Sequence, residues 1–281
     1  MKLITQPEAG PGPILAAVRR ARKTIDIVIF RFDLKELEKA LEAAVTRGVV
    51  VRALIAHTNT GGADRLRKLE QQLLKSGVTV CRTDDNLTRY HGKLLTVDAR
   101  RAYILGFNYT DEDIKSRSFG VEVRSRKIVK EVLRLFDSDA NRTDFAPRVR
   151  DLVVSPENAR RRLEQFIQRA RKSLDIYDPQ ASDDQMLALL ARKAKGGIRV
   201  RLLGELEKKW QRSGLRARKF PGERLHVRAI IRDGRRAFVG SQSLRKLELD
   251  ERREVGLIIR ERAIVRSIEK TFKRDWRETE R

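Results

Sequence analysis

His91-Gly92-Lys93-Leu94-Leu95-Thr96-Val97-Asp98 and His226-Val227-Arg228-Ala229-Ile230-Ile231-Arg232-Asp233 are one phrase written twice: histidine, any residue, a cation, four residues, aspartate. The chain has 3 histidines in 281 residues, and two of them stand in this phrase. Each copy is followed by a glycine, Gly106 or Gly240, and then by small polar groups. So sparing a use of histidine points to one site assembled from two halves. Breaking a phosphodiester needs a nucleophile, a proton for the leaving oxygen and fixed positive charge for the phosphoryl oxygens. Imidazole serves as nucleophile and as general acid–base near neutral pH. Two rings divide those tasks, and Lys93 and Arg228 supply the charge.

Both phrases are β-branched and apolar enough to read as strands, on which side chains two apart share a face. His91 therefore projects with Lys93, and His226 with Arg228. Asp98 and Asp233 have the opposite parity and fall at strand ends. They stand in the substrate-side set, but this placement favours bracing a turn over touching substrate.

The flanks repeat too. Ala21-Arg22-Lys23-Thr24-Ile25-Asp26-Ile27-Val28 matches Ala170-Arg171-Lys172-Ser173-Leu174-Asp175-Ile176-Tyr177, and Arg47-Gly48-Val49-Val50-Val51-Arg52 matches Gly196-Gly197-Ile198-Arg199-Val200-Arg201. A repeat of this period is to be sought before any single-unit reading. Helices are expected over 13–23, 34–46, 65–75 and 128–137. Strands are expected over 24–30, 49–55, 102–106 and 119–124, besides the histidine strands. Buried apolar strands alternating with helices give an α/β class. Ser155-Pro156 reads as the N-cap and first position of the helix opening the second half. The segment 141–154, with Pro147, reads as the connection, which divides the chain into halves 1–146 and 147–281.

The phrases, with Gly240-Ser241-Gln242-Ser243 and Arg252-Arg253-Glu254-Val255-Gly256, resemble the phospholipase D superfamily, whose signature is His-x-Lys-x4-Asp, then Gly-Ser-x-Asn, then a glutamate. The resemblance spans nearly the whole chain. It implies two similar α/β halves with central mixed sheets, related by a pseudo-two-fold, and an active site at their interface. It also implies a covalent phosphohistidine and no metal or other cofactor. His91 is then the nucleophile and His226 the proton donor, with Lys93 and Arg228 on the phosphate. Glu254 is expected to hydrogen-bond and orient His226. Asn108, Ser241 and Ser243 are candidate phosphate contacts. The chain departs from the pattern: Gly106-Phe107-Asn108 lacks the serine, as if by a one-residue deletion, and the first-half match of Glu254 is Ser118. Glu122 lies four residues further on.

Net charge is +24, from 63 Lys and Arg against 39 Asp and Glu. Such a balance favours polyanionic partners, nucleic acid or an anionic membrane, without choosing between them. The basic stretch 207–219 contains Trp210, which suits a lipid interface or a base-stacking loop, against the plainer reading of a ring tucked onto the body. His57 reads as a loop-surface residue. The single Cys81 excludes an internal disulfide and a cysteine-cluster metal site. Lys93 and Arg228 beside the histidines would repel a metal ion. No stretch reaches the ~18 apolar residues of a membrane span and no signal peptide is evident, so a cytoplasmic or peripheral membrane location is expected. With two motifs in one chain, a monomer suffices for a complete site.

The activity expected is that of a metal-independent phosphodiesterase or phosphatidyltransferase, on phospholipid head groups first. The alternatives are a nuclease of the same superfamily and a degenerate module that binds phosphate without turnover.

Overall fold

The computed structural model describes residues 1–58, 63–210, 213–222 and 224–280. The first half runs β1 (Lys2–Gln6), α1 (Gly12–Arg19), β2 (Thr24–Ile29), α2 (Lys35–Thr46), β3 (Val50–Ile55), α3 (Ala63–Lys75), β4 (Thr79–Arg82), β5 (Arg89–Tyr90), β6 (Leu94–Val97), β7 (Arg101–Leu105), α4 (Asp111–Lys115), β8 (Ser118–Val123) and α5 (Arg126–Asn141). The second runs β9 (Leu152–Val154), α6 (Ala159–Gln168), β10 (Ser173–Ala181), α7 (Asp184–Lys195), β11 (Arg199–Leu206), β12 (Arg216–Arg218), β13 (Arg228–Arg232), β14 (Arg236–Gly240), α8 (Lys246–Asp250), β15 (Arg252–Arg253), β16 (Val255–Ile259) and α9 (Arg262–Glu278).

Each half forms a mixed seven-stranded sheet, in the order β1-β8-β7-β6-β2-β3-β4 and, for the second, β9-β16-β14-β13-β10-β11-β12. Strand for strand these are the same sheet, so the repeat seen in the sequence is a repeat of topology. The α/β class with two similar halves is thereby established.

Burial divides the apolar residues into three cores. Helices α1, α2 and α3 cover one face of the first sheet through Ile14, Val18, Leu37, Leu41, Leu66 and Leu73. Helices α6 and α7 do the same for the second through Leu163, Phe166, Leu187 and Leu190. The third core draws on both halves. It contains α5, through Val129, Val132 and Phe136, and α9, through Val265, Ile268, Phe272 and Trp276, with strand residues of both sheets. On α9 these fall on one face at helical spacing. At roughly 1.5–3 kcal/mol for each large apolar side chain buried, this shared core fixes one half upon the other.

Buried polar groups repeat as well. Arg52 Nε donates to Asp26 at 2.6 Å, and Arg201 Nε donates to Asp175 at 2.8 Å, the same pair in each β2/β3-type unit. Asp98 and Asp233 both adopt left-handed backbone conformations, with φ of 54° and 55°. Each carboxylate accepts from three successive backbone amides: Arg22, Lys23 and Thr24 for Asp98, and Arg171, Lys172 and Ser173 for Asp233. The motif aspartates thus tie the end of the histidine strand to the start of the neighbouring strand. Asp98→Ala loses these bonds and places an alanine at positive φ. It is expected to lower stability by about 2 kcal/mol with kcat nearly unchanged, as thermal denaturation and an activity assay on one preparation would show. The same holds for Asp233→Ala.

Three expectations are corrected. The histidines lie just before β6 and β13, not within them, because the backbone N–H of each is engaged by the other half. Ser155-Pro156 does not open a helix. It is a cis peptide in a turn, and α6 begins at Ala159 after Asn158. The connection between halves is shorter than 141–154, since Leu152–Val154 pairs with β16 as an edge strand. Trp210 follows the plainer of its two readings: partly buried, its ring packs against the second-half core and its Nε1 donates to Asp184 at 3.3 Å. Of the basic stretch 207–219, Gln211 and Arg212 lie outside the described residues.

Candidate active site

The two halves meet through short parallel pairings made by the chain just ahead of each histidine. β5 pairs with β15, setting Arg89 opposite Arg252 and Tyr90 opposite Arg253. Leu225 forms the equivalent bridge with Arg117. The register continues into the motifs: His91 N–H donates to Arg253 O at 2.8 Å, and His226 N–H donates to Arg117 O at 3.0 Å. Two buried arginines lock these contacts. Arg117 pairs with Asp275 of α9 at 2.9 Å, and Arg253 pairs with Asp139 of α5 at 3.0 Å, each across the halves. Breaking a buried pair of this kind typically costs ~3–5 kcal/mol. These arginines precede Ser118 and Glu254, so they were visible in the sequence repeat, though not as cross-half bonds.

This register decides the partner of Glu254. The residue after Arg253 falls beside the residue after Tyr90, so Glu254 meets His91. Its Oε1 lies 2.8 Å and its Oε2 3.1 Å from His91 Nδ1. The expectation that Glu254 orients His226 is overturned. By the same logic His226 faces Ser118, whose hydroxyl is buried without a partner. The carboxylate near His226 instead comes from α4: Asp113 Oδ2 stands 3.5 Å from His226 Nδ1. Asp113 is fully buried, accepts from the backbone N–H and Nδ2 of Asn108 at 2.6 Å each, and pairs with Arg224 at 2.5 Å. Sequence reasoning missed Asp113 because it lies in Asp111-Glu112-Asp113, an ordinary-looking acidic first turn with Thr110 as its cap. Glu122 is spent on Arg124, at 2.8 Å.

The missing serine is a replacement and not a deletion. Gly106 N–H donates to Phe119 O at 2.8 Å, as Ser241 N–H donates to Val255 O at 3.0 Å, which makes Gly106 the counterpart of Ser241. A Cβ on Gly106 would stand 2.9 Å from Phe119 O and 3.1 Å from Gly240 O of the other half. The two motif glycines are therefore where the backbones approach, and a side chain at 106 has no room. Asn108 and Ser243 follow their histidines at the same spacing. Asn108 is committed to Asp113, with its Oδ1 buried and unpartnered. Ser243 Oγ accepts from Arg228 Nε at 3.3 Å. Ser241 Oγ accepts from Val255 N–H at 3.1 Å and is also bonded to Glu254.

The cations occupy equivalent places. Lys93 Nζ donates to His91 O at 2.7 Å and lies 2.9 Å from His91 Nε2, and Arg228 Nη1 donates to His226 O at 2.8 Å. Phe30 walls the first ring edge-on at 4.3 Å. Burial, then Lys93 and Arg228, hold His91 well below the ordinary imidazole range. Burial and Arg228 do the same to His226, with Asp113 opposing. Burial pushes Glu254 up to about 7 and brings Lys93 down to about 7. Asp113 is held low despite burial, by the charge of His226 and the bond from Arg224. Arg228 acts electrostatically on His91, and Lys93 on His226, so the charges of the two motifs share one environment.

Two cavities flank the motifs. One, of about 290 Å³, includes Tyr90, Thr83, Asp84, Asn86 and the exposed His57, and the other, of about 350 Å³, includes Leu225, Arg224, Phe220, Lys219 and Pro179. None of the described helices is long and apolar enough to cross a membrane.

No curated protein matches the chain. Among solved structures, phosphatidylserine synthase from Haemophilus influenzae Rd KW20 superposes with a TM-score of 0.76 at 11% identity, covering 99% of this chain and 86% of that one. Polyphosphate kinase from Porphyromonas gingivalis superposes with a TM-score of 0.79 at 17% identity over 97% of this chain, which spans 49% of the kinase's length. At these identities the likeness is one of fold. The sequence itself matches the family model described as cardiolipin synthase, PLD-like domain, in both halves, over residues 14–140 and 163–276. The chain therefore belongs to that family of phospholipase D-like domains.

Proposed function

We propose that the chain is a metal-independent phosphodiesterase or phosphatidyltransferase that works through a phosphohistidine on His91. One observation carries this reading above the others: a buried carboxylate from the second half, Glu254, sits 2.8 Å from Nδ1 of the first-half histidine. A carboxylate accepting Nδ1–H fixes the tautomer with its lone pair on Nε2, the nucleophilic nitrogen. It also stabilises the positive charge that the ring acquires when Nε2 bonds to phosphorus. The nucleophile remains His91, as the resemblance implies, but Glu254 supports it directly instead of orienting His226.

His91 Nε2 attacks phosphorus and the bond to the leaving oxygen breaks. His226 in its protonated form gives its proton to that oxygen; Asp113, 3.5 Å from Nδ1, favours that form against the burial and the Arg228 charge that oppose it. The neutral ring then takes a proton from water or an alcohol, whose oxygen displaces Nε2 and returns His91 to its starting state. Lys93 and Arg228 hold the non-bridging oxygens, with Ser243 oriented by Arg228 and Asn108 by Asp113. The leaving group lies on the His226 side, where Lys219, Phe220, Arg224 and Leu225 line the adjoining cavity.

The family description favours a phospholipid head group as substrate. The charge of +24 favours nucleic acid equally, which keeps a nuclease as the second reading. Anionic phospholipid vesicles and single-stranded DNA, each incubated with the protein in EDTA, separate the two. Head-group release or exchange is the expected outcome. Turnover of DNA alone would move the chain to the second reading, loss of turnover on chelation would contradict a metal-free mechanism, and binding of either substrate without turnover would leave a phosphate-binding module.

The pH profile of kcat/KM is expected to be bell-shaped, with both limbs near 7. Below about 7 Glu254 takes up a proton and no longer accepts Nδ1–H, so rate falls with acid. Above about 7 Lys93 loses its charge, so rate falls with base. Lys93→Arg keeps the cation and should carry the alkaline limb to higher pH, whereas an unmoved limb would remove Lys93 from that role.

A further inference from the structure

β13 has the histidine motif at one end and a separate arginine cluster at the other. From Arg228 to Arg232 the strand advances roughly 13 Å. At that far end lies a cavity of about 200 Å³ lined by Arg150, Arg162, Arg169, Arg232, Arg236 and Arg260, with Phe166 in its wall. Asp151 is the one carboxylate among the described lining residues, and Arg260 occupies both its oxygens, at 2.7 and 3.0 Å. The other guanidiniums have no carboxylate of their own in the cavity. Arg232 is fixed in place, 4.5 Å over the Phe166 ring and donating to Phe166 O at 3.0 Å. Arg162 donates from Nη1 to Gln165 at 3.2 Å, while its Nε is buried with no hydrogen-bond partner.

A buried N–H without an acceptor is costly, and so is a set of like charges held together. Burial holds Arg162 and Arg232 below their usual range, helped by Arg150 and Arg169 for the first and by Arg236 and Arg169 for the second, with Asp151 and Asp233 respectively opposing. A multiply charged anion relieves both costs together. Guanidinium forks match the paired oxygens of a phosphate. The space is a small concavity and not a long groove, which suits one or two phosphate groups better than an extended backbone.

We propose that this cavity is a second phosphate site, taking inorganic phosphate, pyrophosphate or the terminal phosphate of a small molecule, independent of the histidine motifs. It stands whether or not the chain turns over a phosphodiester.

Isothermal titration calorimetry and thermal denaturation of the full chain with sodium pyrophosphate, against sodium chloride of equal ionic strength, test it. Pyrophosphate should give saturable binding and a raised Tm that chloride does not reproduce. Binding should persist in Lys93→Met/Arg228→Gln, which lacks the motif cations. In Arg162→Gln/Arg169→Gln the affinity should fall at least about 10-fold, and the Tm without ligand should rise as repulsion is relieved. Arg169→Gln alone, which alters an exposed side chain, should weaken binding about 3-fold and serves if the double variant does not fold. Equal stabilisation by chloride, undiminished affinity in the arginine variants, or loss of all binding in the motif variant would each overturn the proposal. Orthophosphate run beside pyrophosphate shows whether one phosphate group suffices.

Discussion

His91→Ala should lower kcat by about 10⁴-fold or more, because it removes the nucleophilic nitrogen and leaves at that point only Lys93, whose ammonium lay 2.9 Å from Nε2 and serves the phosphoryl oxygens. The more telling comparison is with His226→Ala. On a substrate whose leaving group needs no proton, such as a nitrophenyl phosphodiester, His226→Ala should still release one equivalent of nitrophenolate and then stall. Phosphate should remain on His91, detectable as an acid-labile adduct by mass spectrometry. His91→Ala should release none. If the adduct forms on His226 instead, the assignment of roles is reversed. Glu254→Gln belongs to this series: it keeps a hydrogen-bond acceptor beside Nδ1 but removes the charge. A loss of about 10²–10⁴-fold in kcat with the acidic limb of the pH profile abolished is expected. A rate loss with the limb intact would mean that Glu254 merely packs.

Asp113→Asn should cost both stability and rate. The carboxylate is fully buried and serves Asn108 N–H, Asn108 Nδ2 and Arg224 while standing 3.5 Å from His226. Removing its charge weakens the bond from Arg224, which is a third exposed and keeps Glu112 at 3.3 Å, so a loss of about 1–3 kcal/mol is expected. It also removes the group that favours protonated His226, so the leaving-group proton is lost at lower pH. The expected result is a kcat/KM reduced by about 10²-fold or more on alkyl substrates but far less on the nitrophenyl substrate. Equal losses on both would make Asp113 a scaffold residue only. Asp113→Glu, which preserves charge, should recover part of the substrate-dependent difference.

The histidine phrases, the duplicated flanks and the sheet-forming segments were legible in the sequence because they are local. A spacing of two brings His91 and Lys93 to the same side whatever lies around them, and the recurrence of Asp26-Arg52 as Asp175-Arg201 reflects a pairing made inside one βαβ unit. The carboxylate partners were not legible. A sequence alignment places Glu254 after the second motif, and nothing in its neighbourhood says that β15 pairs with β5 of the other half. Asp113 was hidden for a related reason. The one signal it left is that Glu248 stands at the same spacing after His226, while Asp111 and Glu112 match Lys246 and Leu247; its burial and its contact with His226 appear only in the fold. The serine thought deleted shows the same limit: the count of residues alone cannot tell a gap from a glycine, whereas the bond from Gly106 N–H to Phe119 O can.

The amino-acid sequence by itself determined the α/β halves, their repetition, and the two imidazoles with their cations, since periodicity, turn chemistry and motif spacing act over a few residues. Which carboxylate faces which imidazole, and where six arginines gather around one cavity, was decided by tertiary structure. The first relation joins residues more than a hundred positions apart and arises from a register between two sheets packed on a common core; the second gathers residues that lie far apart along the second half and that its own sheet and α6 bring together.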